Sequence, residues 1–79
     1  MGVGGFGNTY DPSTVTIAVG GTVTWSWQGG FHDVIGTNFA LKADVQSAGT
    51  ASFTFPAAGS YRFGCSIHPD TMQGTVIVR

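Results

Sequence analysis

Residues 14–28 have the sequence TVTIAVGGTVTWSWQ, which alternates between polar and apolar side chains. This alternation with a period of two is typical of β-strands that have one face against a core and the other in water. Val23, Trp25 and Trp27 fall on the same face, so the second half of the stretch predicts a one-sided antiparallel strand. Gly20 and Gly21 separate the two halves and predict a hairpin turn between them.

Similar strand patterns continue towards the C-terminus. Residues 51–55 and 60–64 alternate again, with a turn at 56–59, and the apolar residues 75–78 predict a closing strand. Five or six short strands at this spacing favour an all-β sandwich. Residues 39–43 predict one helical turn within an otherwise irregular segment. The glycine-rich residues 1–9 predict a flexible lead-in, which leaves residues 10–79 as the folded domain.

The composition excludes several classes of function. With 79 residues the chain has room for one domain only. Its formal net charge of -1 gives no electrostatic reason to expect a nucleic acid as partner. No apolar run approaches the roughly 18 residues that a membrane-spanning helix needs. The single cysteine forbids an internal disulfide, so its thiol is inert, reactive or a metal ligand.

Donor atoms for a metal are concentrated in one short segment. Cys65, His68 and Met72 lie within eight residues, and His32 is the only other histidine of the chain. The strand pattern before Cys65 directs its side chain inwards, on the face that carries Phe63. Two histidines and a cysteine with a weak axial methionine form the ligand set of blue-copper electron-transfer sites.

Each of these residues also has an ordinary interpretation. A lone cysteine at a strand end is usually a small buried hydrophobe, and a lone methionine usually fills a core. His68 before a proline would more often be a solvated loop residue. Taken together, these residues favour a metal site over their ordinary roles, because the only cysteine and both histidines of the chain stand at predicted strand ends.

Longer motifs carry a resemblance to a known family. They are Tyr10-Asp11-Pro12, GTVTW at 21–25, GGFHDV at 29–34, GSYRFGC at 59–65 and MQG at 72–74. In this combined order the chain resembles the cupredoxins, particularly the plastocyanin-like, halocyanin-type electron carriers. The resemblance implies a small, partly trimmed Greek-key β-sandwich that binds one copper ion. It also implies an electron-transport function rather than an enzyme, with His32, Cys65 and His68 as equatorial ligands and Met72 as the axial ligand.

The resemblance further implies how such a protein would meet its partners. Redox proteins are expected to dock transiently on an apolar patch around His68, drawn from Phe31, Ile67, Pro69 and Phe39. The protein is expected to be a monomer and to work outside the cytoplasm, in a periplasm or at a cell surface.

Two positions depart from the usual cupredoxin pattern. Asp33 stands where the family usually has asparagine, and a carboxylate there favours Cu(II) and lowers the reduction potential. Gly64 stands where plastocyanins carry an aromatic side chain, so His68 is expected to be the main route for electrons.

Three other functions use the same residues. A copper storage or trafficking module predicts an open, exchangeable site, usually with more methionine or cysteine ligands. The electron-entry domain of a larger copper oxidase or nitrite reductase would need further copper centres and more histidines than this chain holds. A structural zinc site would not call for a methionine donor.

Overall fold

The computed structural model describes all of residues 1–79, which form two β-sheets packed face to face. A four-stranded sheet has the order β2-β1-β4-β7, and a five-stranded sheet has the order β3-β9-β8-β5-β6. The strands in chain order are β1 (Gly2–Val3), β2 (Tyr10–Asp11), β3 (Thr14–Ile17), β4 (Thr22–Trp27), β5 (His32–Gly36), β6 (Lys42–Gln46), β7 (Gly49–Thr54), β8 (Gly59–Gly64) and β9 (Gln73–Val78). The predicted all-β sandwich is confirmed, and the chain contains no helix that could span a membrane.

Strand β4 supplies much of the core, as its alternation predicts. Val23, Trp25 and Trp27 are buried, while Thr22 and Thr24 on the other face are exposed and pair their hydroxyls with side chains of β7. The strand runs antiparallel to β7. From the opposite sheet, Phe63 meets Trp25 edge to face with ring centroids 5.2 Å apart. This contact joins the two sheets close to Cys65 in the chain.

The hairpin predicted at Gly20 and Gly21 is wrong. Strand β3 does not pair with β4 but runs parallel to β9 in the other sheet. The two glycines instead form a corner between the sheets: Gly20 N–H donates to the Phe55 carbonyl at 2.7 Å, and Phe55 N–H donates to the Gly21 carbonyl at 3.0 Å. Two adjacent glycines can form either a hairpin turn or a corner between two sheets. The corner is formed here because it lets β4 bury its apolar face against the opposite sheet.

The helical turn predicted at 39–43 is also wrong. Lys42–Gln46 forms β6, which pairs antiparallel with β5 at the edge of the sheet. Phe39 packs among the aromatic rings of Phe53, Phe55 and Tyr61, at centroid distances between 5.2 and 5.5 Å. Tertiary packing therefore overrides the weak local preference of this segment for a helical turn.

Part of the glycine-rich N-terminal segment belongs to a sheet. Gly2–Val3 forms β1, which pairs with β2 and β4, and Val3 is fully buried. The terminal amino group of Met1 donates a hydrogen bond of 2.8 Å to the Thr24 carbonyl. The division of the chain into a flexible lead-in at residues 1–9 and a folded domain at residues 10–79 concerns how the segment moves, and it stays a prediction.

Candidate metal centre

Two neighbouring strands bring the predicted donors to one end of the sandwich. His32 begins β5, and Cys65 directly follows the end of β8. Because β5 and β8 are adjacent and antiparallel, the start of one strand lies beside the end of the other. The period-two pattern of β8 turns Phe63 and Cys65 inwards, and both are buried, as predicted.

The segment between β8 and β9 folds into a tight loop that carries the remaining donors. Met72 N–H donates to the His68 carbonyl at 2.9 Å, and Cys65 N–H donates to the Met72 carbonyl at 3.1 Å. These two bonds join the two ends of the loop and turn His68 back towards Cys65. Met72 is fully buried at the end of the loop; its role as a metal ligand stays a prediction.

The structure brings three of the four predicted ligands together. One donor atom each from His32, Cys65 and His68 lies within 4.8 Å of the others. Cys65 Sγ is 3.7 Å from His68 Nδ1, and the two imidazole rings have centroids 5.1 Å apart. His32 and Cys65 are each only 2% exposed, whereas His68 is partly exposed. The cluster is thus closed to solvent on most sides and open at the His68 edge.

One atom of the cluster is left without a partner by the protein itself. His32 Nδ1 is buried and accepts or donates no hydrogen bond. Burying a polar group in this state costs about 1 to 3 kcal/mol, so the unpartnered nitrogen calls for an explanation, and a bound ion between the three donors is one. Burial and the nearby His68 lower the pKa of His32, against the opposing effect of Asp33. A neutral imidazole is the form that binds a metal, so these residues fit a metal ion held between them.

Asp33 connects the two ligand-bearing segments. Its carboxylate accepts hydrogen bonds from the Ser66 N–H, at 2.7 Å, and from the Ser66 hydroxyl. It therefore accepts hydrogen bonds from the cysteine loop, as its chemistry predicts, while lying next to His32 in the chain. Asp33 is 5% exposed and Ser66 is exposed, so this connection is partly buried and lies near the surface.

Two aromatic side chains hold the backbone on the His32 side. Trp27 Nε1 donates to the His32 carbonyl at 2.7 Å, and the Tyr10 hydroxyl donates to the Asp33 carbonyl at 2.8 Å. Burial, with smaller effects of Cys65 and Asp33, raises the pKa of Tyr10 well above its usual range, so the hydroxyl keeps its proton. In the sequence Trp27 is predicted to belong to the core alone, Tyr10 appears only within the Tyr10-Asp11-Pro12 motif, and Ser66 is not singled out. The bonds of Tyr10 and Ser66 to Asp33 span 23 and 33 residues, so no local pattern predicts them. The bond from Trp27 spans only five residues, but its indole already has a role in the predicted core.

Apolar side chains surround the open edge of the cluster. Phe31 and Ile67 are 68% and 49% exposed. A shallow depression beside the two histidines is lined by Gly4, Gly7, Asn8, Gly30, Phe31, His32, Ile67 and His68. Phe39 does not belong to this patch, contrary to prediction, because it packs in the aromatic cluster around Tyr61.

Known proteins share both the sequence pattern and the fold. The family described as "Copper binding proteins, plastocyanin/azurin family" matches residues 2–79. The chain is 36% identical over 85 residues to halocyanin from Natronomonas pharaonis, covering 98% of this chain and 52% of that protein. It is 34% identical over 84 residues to chloroplastic plastocyanin from Tetradesmus obliquus, covering 89% of this chain and 58% of that protein.

A solved structure gives the same result for the fold. A variant of amicyanin in its Cu(I) form superposes with a TM-score of 0.81 at 28% identity, covering 100% of this chain and 81% of the other. A two-sheet β-sandwich with a cysteine and two histidines at one end defines a cupredoxin. The chain belongs to the plastocyanin/azurin family of copper binding proteins. It spans a little over half the length of the two curated relatives that it matches.

Proposed function

We propose that this chain is a type 1 copper protein that carries single electrons between redox partners. The observation that carries the proposal is the buried, unpartnered His32 Nδ1 in a cluster with Cys65 and His68. In this proposal His32, Cys65 and His68 are the equatorial ligands and Met72 is the axial ligand. Bound copper supplies a one-electron couple between Cu(I) and Cu(II).

The surrounding residues suit a carrier because they hold the donors in place. The Cys65 loop is closed by its own backbone bonds, and the Asp33 carboxylate ties it to the strand that begins at His32. A rigid donor set changes little between two oxidation states, which keeps the reorganisation energy small. Burial of Cys65 also keeps water away from its sulfur.

The open edge suits transient docking. His68 reaches the surface between Phe31 and Ile67, so a partner's redox group can approach the cluster through its imidazole. We infer small, short-lived complexes with redox proteins at this patch, since electron-transfer encounters usually bury less than about 1,200 Å². A monomer outside the cytoplasm is inferred from the family resemblance.

Two other roles are less well supported. Storage or trafficking calls for a site that exchanges its metal readily, whereas His32 and Cys65 are buried here and the segments that carry them are joined by the bond from Ser66 to Asp33. Enzymatic turnover of a substrate calls for further copper centres, and the chain has no histidines beyond the two in the cluster. As part of a longer protein the chain would serve such an enzyme as its electron-entry domain.

The first experiment is a titration of the apoprotein with Cu(II), followed by visible absorption and EPR spectroscopy. An intense thiolate-to-copper band with a narrow hyperfine splitting, saturating at one copper per chain, is the expected result. Reversible one-electron reduction of that species then separates a carrier from a storage protein. A pale spectrum typical of ordinary Cu(II) would overturn the ligand assignment, and rapid loss of copper to a chelator would favour storage.

A further inference from the structure

The imidazole of His32 is held in an unusual way on the side away from the cluster. Metal-binding histidines almost always donate their second ring N–H to a carboxylate, a carbonyl or water, and that bond fixes the orientation of the ring. No protein group forms such a bond with the His32 ring, and the Trp27 indole bonds only the backbone carbonyl of this residue. Something other than a hydrogen bond to the protein therefore sets the angle of this ring.

Two glycines lie against that second nitrogen. A Cβ atom added at Gly30 would lie 2.5 Å from His32 Nε2 and 3.2 Å from Cδ2. A Cβ atom added at Gly4 would lie 2.1 Å from the Gly29 carbonyl oxygen, 2.6 Å from His32 Cδ2 and 2.7 Å from Nε2. Real Cβ atoms essentially never approach another heavy atom this closely, so the ring fills the space that a side chain at Gly30 would need and part of the space that one at Gly4 would need.

The two glycines come from segments far apart in the sequence. Gly4 follows β1, and Gly30 precedes β5, so the ring of His32 lies between the glycine-rich N-terminal segment and its own loop. Gly4 N–H donates to the Thr9 carbonyl at 3.0 Å, and Gln28 N–H donates to the Val3 carbonyl at 2.8 Å, which keeps the two segments together. The glycine-rich start of the chain is thus part of the wall around the metal centre.

We propose that Gly30 and Gly4 are positioning residues for His32, whose ring they hold by close backbone packing so that Nδ1 faces Cys65 and His68. This inference rests on the proposed copper site and adds a role for the N-terminal glycines. A side chain at Gly30 would push the ring towards the cluster or turn it away, because its close contacts are all with the ring. A side chain at Gly4 would also displace the Gly29 carbonyl, so Gly30 is the position that tests the ring contact alone.

The test compares Gly30→Ala with two matched controls. Gly30 has φ +69°, and Gly7 and Gly20 have φ +95° and +86°, so alanine strains the backbone at all three positions. A Cβ atom at Gly7 or Gly20 would meet nothing within 4 Å, whereas at Gly30 its close contacts are with the His32 ring. The controls therefore carry the cost of the backbone conformation without the contact to the ring.

The wild-type copper titration comes first, since it tests the proposed function independently of any glycine. We then expect Gly30→Ala to bind Cu(I) about 10-fold to 100-fold more weakly than either control, as measured by chelator competition. Its charge-transfer band and copper hyperfine splitting should change, while both controls keep the wild-type spectrum. Equal affinity and spectra in Gly30→Ala and the controls would overturn the proposal even if wild-type protein is blue.

A second variant covers the case in which Gly30→Ala does not fold. If the ring contact is responsible, removing the ring should restore folding, so the double variant His32→Gly with Gly30→Ala should show the circular dichroism of a β-sandwich. A double variant that stays unfolded would show that alanine at position 30 destabilises the protein through backbone strain, and this result would overturn the proposal.

Discussion

The two halves of the metal centre are built in different ways. The half with Cys65, His68 and Met72 is a single loop whose main hydrogen bonds join its own residues. The half with His32 depends on partners outside its own strand: Trp27 on β4 and Tyr10 on β2 bond its backbone, and Gly4 packs on its ring. One half is therefore encoded locally, and the other exists only once the sandwich has assembled.

This difference separates two kinds of mutational effect. Changes within the loop should alter the metal site and leave the sandwich almost intact. Changes on the His32 side should lower both the stability of the fold and the quality of the site. Asp33 belongs to both halves, because its carboxylate bonds the loop while its backbone accepts the Tyr10 hydroxyl.

Cys65→Ser should have the largest effect on the site. It removes the thiolate, so the intense charge-transfer band should disappear completely at one equivalent of Cu(II). The fold should be retained, because serine is close in size to cysteine and the loop bonds are made by the backbone. Absorption spectra check the site and thermal unfolding checks the fold; persistent colour would show that the sulfur is not a ligand.

Trp27→Phe should damage both the fold and the site. It leaves the buried His32 carbonyl without its donor and creates a small cavity, so the free energy of unfolding should fall by about 2 to 4 kcal/mol. Trp25→Phe is the matched control: the Trp25 indole N–H is buried without a partner, so this change removes similar volume and breaks no hydrogen bond.

Urea unfolding of the two apoproteins measures the contrast. Trp27→Phe should be less stable than Trp25→Phe by about 1 to 3 kcal/mol, the cost of an unpaired buried carbonyl. Only Trp27→Phe should also shift the copper spectrum. Equal stabilities and spectra would mean that the His32 side does not depend on the bond from Trp27 to the His32 carbonyl.

Asp33→Asn should change the reduction potential of the copper more than the geometry of its site. The amide oxygen can still accept from Ser66 N–H, but the negative charge beside the copper is lost. Cu(II) then loses more stabilisation than Cu(I), and the reduction potential should rise by an amount on the order of 1 kcal/mol per electron. Voltammetry measures it, with Asp44→Asn on exposed β6 as the charge-matched control; a potential that falls or matches the control would contradict the expectation.

Tyr10→Phe should have the smallest effect. It removes the bond to the Asp33 carbonyl while the ring keeps its edge-to-face contact with Phe63, at a centroid distance of 4.8 Å. The free energy of unfolding should fall by about 1 kcal/mol, with little change in the copper spectrum. Tyr61→Phe is the control, since its hydroxyl bonds the Ala57 carbonyl at an exposed position where water can replace it. No difference between the two variants would mean that the buried bond contributes nothing.

The same contrast explains what could be predicted from the sequence. The cysteine loop was predictable, because Cys65, His68 and Met72 are neighbours in the chain and the strand before them shows clear alternation. The burial of the face with Trp25 and Trp27 was predictable for the same reason. Both depend on local patterns with a fixed period.

Features that depend on long-range packing were missed. The sheet to which β3 belongs is fixed by its partner β9, about sixty residues away in the chain, and not by the two glycines that follow it. Strand β6 and the burial of Phe39 depend on the aromatic cluster around Tyr61. The roles of Tyr10 and Ser66 likewise appear only when the sheets come together.

The register of β8 and β9 has a consequence for how the metal centre can vary. Gly64 and Gln73 are directly opposite each other, so the whole ligand loop leaves and rejoins the sheet at the same rung of one ladder. Residues can be inserted or removed between them without moving either strand, and doubling such a loop costs only about 0.6 kcal/mol of closure entropy. The sandwich can therefore stay the same while the length of this loop changes, and a different loop length would change the surroundings of the metal without changing the fold.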